Sequence, residues 1–161
     1  MEKFLQHLDV WAWIYPRRPS AYDGAHFTAR GPACDAILLC LDILEDEGPP
    51  TRRSIPLRKL RPEDEQKITG GMKYRCYTRL RIELCPQSAE LEDIQVIPDN
   101  NTLVFRATPD AIHHFREGVL DVKSGIGDYA IGPSRKHNPA HGDPPLNLWF
   151  WPCFGHIAPV P

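Results

Sequence analysis

The sequence predicts an α+β fold: a mainly antiparallel sheet with one long amphipathic helix, about residues 109–123, packed on it. Three observations predict it. The 161 residues include 17 prolines, roughly twice the usual frequency of about 5%. A proline inside a helix costs ~3 kcal/mol, which disfavours a helical bundle. Most apolar segments are short and alternate with polar residues, as half-buried strands do. One stretch instead repeats its apolar residues at helical spacing, with start and stop signals at its ends. At 42% hydrophobic and 25% charged residues, the composition is that of one globular domain over residues 1–161. Such a chain buries a core without needing a disulfide or a metal.

Leu8 to Tyr15 predicts the first strand, with Trp11 and Trp13 on one face, Val10 and Ala12 on the other, and Pro16 as its stop. After a loop, His26 to Arg30 reads as a short strand closed by Gly31-Pro32. Ala36 to Leu44 (AILLCLDIL) is apolar almost throughout and suits a central strand, although the same pattern fits a buried helix. Thr51 to Leu60 is basic and reads as irregular. Pro62 to Ile68 predicts a short helix, with Pro62 in its first turn and Glu63, Asp64 and Glu65 near the positive end of its dipole.

Lys73 to Leu84 is the clearest strand. Cys76, Thr78, Leu80, Ile82 and Leu84 take its buried face, and Arg75, Tyr77, Arg79, Arg81 and Glu83 its solvent face. Ile94 to Ile97 and Thr102 to Ala107 form a hairpin around Pro98-Asp99-Asn100-Asn101. Thr108 caps the long helix, Pro109 occupies its first position, and Ile112, Phe115, Val119 and Val122 make its apolar stripe. Beyond the turn Gly127-Asp128-Tyr129 and a polar loop, Leu146 to Cys153 is the last strand. There Leu146, Leu148 and Phe150 alternate against Asn147, Trp149 and Trp151.

The apolar stretch near the N-terminus is too short for a signal peptide, and no run approaches the ~18 residues of a membrane span. Five cysteines at irregular spacing read as reduced thiols of a cytoplasmic protein. The chain has no GxSxG, Walker, GxGxxG or HExxH motif, so it offers no anchored nucleophile or base, and a non-enzymatic role is favoured. No cofactor is expected. Nor is a metal: Cys153 and His156 make one thin pair, and Cys34 and Cys40 lie six apart, where a structural zinc site shows two close pairs. His113 and His114 are adjacent on the predicted helix and point about 100° apart, unlike an HxxxH pair. His137, His141 and Asp143 share a loop that suits either a small-ligand or enzymatic pocket or a plain polar connection.

The net charge of −2 excludes a uniformly charged partner surface, but the charge is segregated. Residues 52–81 hold ten Lys or Arg against three acids, while residues 35–47 hold five acids and no base. Arg75, Arg79 and Arg81 could meet phosphates, with Tyr77 stacking on a base, in an RNA- or DNA-binding module. The competing reading is that the basic and acidic stretches neutralise each other across the fold or simply face water. The four tryptophans form two pairs on the first and last strands, and neighbouring terminal strands would bring them to one surface. At least two belong in the core. Trp149 and Trp151, turned away from the apolar face of their own strand, suit a second layer or a partner.

From Thr102 to Phe150 the chain resembles small bacterial immunity proteins of polymorphic toxin systems. The resemblance lies in the strand TLVFRA, the helix in TPDAIHHFREGVLDVKSG, the turn GDYAIGP and the aromatic strand LNLWFW. It implies a protein that binds and blocks a cognate toxin without catalysis. The reading that follows is a cytoplasmic protein-binding domain, with Trp149 and Trp151 as first anchors, then Tyr129 and Asp128 from the adjacent turn. Segregated charge would steer its association.

Overall fold

The computed structural model describes residues 8–16, 24–69, 71–127, 129–133 and 146–153. Alternation builds β1 (Val10–Ile14), whose Val10 and Ala12 enter the main core while Trp11 and Trp13 enter a second, smaller cluster. β2 (Ala25–Ala29) pairs antiparallel with it, matching Trp13 to His26. Gly24 opens β2 at φ +122°, and a Cβ there would lie 2.3 Å from the Asn147 carbonyl oxygen, so only glycine fits.

The run predicted as a central strand is instead the middle of α1 (Gly31–Glu47). Pro32 sits in its first turn, where a missing N–H costs nothing. Ala33, Ile37, Cys40 and Leu44 are buried at helical spacing, and Asp35 and Asp42 face solvent. The basic stretch predicted as irregular forms β3 (Thr51–Pro56), an edge strand on which only Ile55 is fully buried. α2 (Pro62–Thr69) follows, as expected.

Lys73 to Leu84 is not one strand. β4 (Arg75–Cys76) pairs with β1, and β5 (Arg79–Leu84) belongs to another sheet. Between them the Tyr77 N–H donates to Ala12 O at 2.9 Å and the Thr78 N–H to Asn101 O at 2.8 Å, so the chain passes from one sheet to the other here. β6 (Ile94–Asp99) and β7 (Thr102–Ala107) form the predicted hairpin, turned by Asn100 at φ +50°. α3 (Ile112–Lys123) is the predicted amphipathic helix, begun three residues later by a turn through Thr108. β8 (Tyr129–Ile131) and β9 (Leu148–Phe150) complete the order.

The result is an α+β architecture with two sheets, β4-β1-β2-β9-β8 and β3-β5-β7-β6. Both are mostly antiparallel; the β2–β9 and β5–β7 pairs are parallel. One core joins them. The Phe115 ring of α3 lies 4.7 Å from Phe105 of β7, and 6.0 Å and 5.7 Å from Phe27 and Phe150 of β2 and β9. α1 lies beside α3, linked by Arg116 to Asp42 and Glu45 and by Lys123 to Asp35.

Candidate functional site

The outer face of the five-stranded sheet, away from the Phe115 core, is aromatic. Register places Trp13 beside His26 and His26 beside Trp149. The terminal strands β1 and β9 therefore flank β2 rather than pair, and His26 fills the space between their indoles. Its ring stacks 5.5 Å from Trp13, 6.4 Å from Trp149 and 6.0 Å from Trp151, with the Tyr15 ring edge-on at 4.8 Å. His26 is 1% exposed. The Trp151 indole N–H donates to His26 Nδ1 at 2.9 Å, so this nitrogen accepts and the ring proton resides on Nε2. The Thr28 hydroxyl donates to the Trp151 carbonyl at 3.0 Å, and the Trp151 N–H to Phe27 O.

The four indoles divide in two. Trp11 and Trp13 are buried with Leu60 and Cys153, and Trp11 Nε1 donates to Lys59 O at 3.3 Å. Trp149 and Trp151 are half-buried, stacked 6.1 Å apart at 19°. Their backbone is fixed by β2 and one ring is tied to His26, so the pair presents partly open aromatic surface with little left to order.

Tyr129 does not join them. Its ring stacks 5.5 Å from Phe150 on the opposite face of the sheet. Burial, then the nearby Asp121 carboxylate, push its phenol up to about 12. With Glu117, Leu120 and Asp121 of α3 it lines an open groove. Leu120 is 43% exposed, and Ile126, just beyond α3, 58% exposed. Asp128 lies outside the described residues, as do the 137–143 loop and His156.

The basic strand is also divided. Tyr77 is 0% exposed, so its ring is core rather than a stacking platform. Arg75 stays at the edge of the five-stranded sheet, its guanidinium 5.5 Å from the Tyr77 ring centre. Arg79 and Arg81 lie on the outer face of the second sheet, where register adds Arg52 and Arg106. Glu83 bridges Arg81 and Arg106 at 2.8 and 2.9 Å, and Asp99 stands 3.8 Å from Arg81. Four of the five acids of residues 35–47 are paired: Asp35 with Lys123, Asp42 and Glu45 with Arg116, and Glu47 with Arg53. Of these pairs only Glu47–Arg53 joins the acids of residues 35–47 to the basic stretch 52–81; Arg116 and Lys123 belong to α3.

Cys34, Cys40 and Cys153 are buried. Burial, then Asp35, push the Cys34 thiol up to about 12, and burial raises Cys40 as well, which disfavours the thiolate a metal or nucleophilic role requires. His113 and His114 are closer than their positions on the helix suggested, with ring centres 3.9 Å apart.

Sequence reasoning missed His26 as the centre of the aromatic face and the groove residues Glu117, Leu120 and Asp121. The alternation in AHFTA, which puts His26 and Thr28 on one side, was the available signal for the first. No protein-family model, curated protein or solved structure matches this chain. Among the described residues, no helix is long and apolar enough to cross a membrane.

Proposed function

We propose that the chain is a non-enzymatic, cytosolic protein-binding domain, an immunity-type inhibitor that occludes a partner protein. The observation that carries this reading is the half-exposed, stacked pair Trp149 and Trp151, held by His26 and the β2 backbone. Tryptophan in a preordered, partly desolvated setting is the residue type most enriched at binding hot spots. The groove beside Tyr129 lies on the other face and is a separate surface.

A second reading has its own observation. Arg52, Arg79, Arg81 and Arg106 come from three adjacent strands of one sheet face, an arrangement suited to phosphates, although Tyr77 is buried and does not serve as its stacking ring.

Affinity purification of the full chain from its host cells, at low and high salt, tests both. The wild type is expected to retain a protein partner that binds the purified chain in calorimetry. Trp149→Ala with Trp151→Ala should weaken that binding at least roughly tenfold, a loss above about 1.4 kcal/mol. Trp149→Ala alone, which leaves the Trp151–His26 bond, controls for folding by circular dichroism. Undiminished binding by the folded variants, or recovery of nucleic acid alone with steep salt dependence, overturns the reading.

A further inference from the structure

The first turns of α3 carry His113, His114 and Glu117, all exposed, with one ligand atom of each within 4.8 Å of the others. At 3.6 residues per turn, Glu117 stands about 40° around the helix from His113, and His114 about 100°. The carboxylate thus falls between the two imidazoles, and rotamers close the remaining angle. His114 Nδ1 is 3.8 Å from Glu117 Oε2. His113 Nδ1 lies 2.7 Å from the Asp110 carbonyl oxygen. A carbonyl only accepts, so Nδ1 holds the ring proton and Nε2 keeps its lone pair. Donation of the other ring N–H to a carbonyl is what fixes tautomer and direction in metal-ligating histidines.

We propose that His113, His114 and Glu117 form a surface site for a zinc-class divalent cation, with water completing a tetrahedral shell. Two imidazoles and a carboxylate suit Zn2+, which takes such ligands at about 2.0–2.2 Å. Tetrahedral bonds of that length set ligand atoms roughly 3.4 Å apart. One ligand atom of each side chain already lies within 4.8 Å of the others, and exposed side chains rotate to bring His113 Nε2 and its neighbours to the shorter spacing. The amino end of a helix disfavours a cation, and the Glu117 carboxylate supplies the opposing charge. The site stands apart from the Trp149–Trp151 face, so it holds whether or not that face binds a protein.

Calorimetric titration of Zn2+ into the tag-free full chain at neutral pH tests the proposal, with Co2+ absorption reporting tetrahedral geometry. The expected result is one ion per chain. Binding should weaken at least about tenfold in His113→Ala and in His114→Ala, since even outer-shell changes cost that much, and several-fold in Glu117→Gln. Cys85→Ser, which alters a half-buried thiol, should bind as the wild type does. No uptake by the wild type, or undiminished uptake by either histidine variant with unchanged circular dichroism, overturns the site.

Discussion

Cys34 is fully buried in the first turn of α1, its Sγ 3.8 Å from the Ala29 carbonyl. Burial, then Asp35, push the thiol from its ordinary 9.0 up to about 12, so the folded state holds its proton where the unfolded state releases it. The resulting stability is complete below about pH 9 and is lost as pH rises toward 12. Between about pH 8 and 10 the loss amounts to roughly 1 kcal/mol. Urea unfolding of wild type and Cys34→Ala across this range measures it: the gap between them should narrow with pH, and a constant gap would remove burial of this thiol as the cause. Single residues were read unevenly from sequence. Trp11 and Trp13 could be assigned to one face by alternation, but the partner of Trp151, His26, is 125 residues away. No local pattern encodes that contact.

At the scale of elements, α3 carries a glycine where helix propensity alone would prefer alanine by roughly 1 kcal/mol. A Cβ on Gly118 would lie 2.5 Å from the Phe150 ring. Overpacking a core costs about 1–3 kcal/mol, so Gly118→Ala should destabilise by about 1–2 kcal/mol in denaturant unfolding; a gain in stability would mean that β9 moves aside freely. The hairpin, α2 and α3 were legible because their signals are local: turn residues, caps and a 3.6-residue stripe. α1 was misread because AILLCLDIL hides its period. Including Asp35 and Asp42, seven apart and both exposed, restores it. β3 escaped detection because an edge strand carries charge, and its pairing is supplied by β5 rather than by its own pattern. The passage from β4 to β5 was invisible for a different reason. Tyr77 and Leu80 are both buried, three residues apart, where unbroken alternation demands an even spacing.

For the whole molecule, the central fact is that Phe115 touches both sheets. All four tryptophans belong to the five-stranded sheet or its margin, so their fluorescence follows that sheet, whereas far-UV circular dichroism follows both. The two signals should trace one urea transition. Phe115→Ala should move both together, by about 3–5 kcal/mol. Separated midpoints in the wild type would show that the sheets are independent units. The α+β class followed from composition and period, but the division into two sheets did not, because it is set by long-range pairings such as β2 with β9.

That parallel pairing also matters during synthesis on the ribosome. β2 is the middle strand of its sheet, yet its β9 neighbour is translated more than a hundred residues later, as the 123-residue span from Thr28 to Trp151 records. Until then Phe27 and the flank of β2 have no β9 to cover them. A premature stop before Leu148 would make that exposure permanent, leaving an adhesive product and a natural client for chaperones.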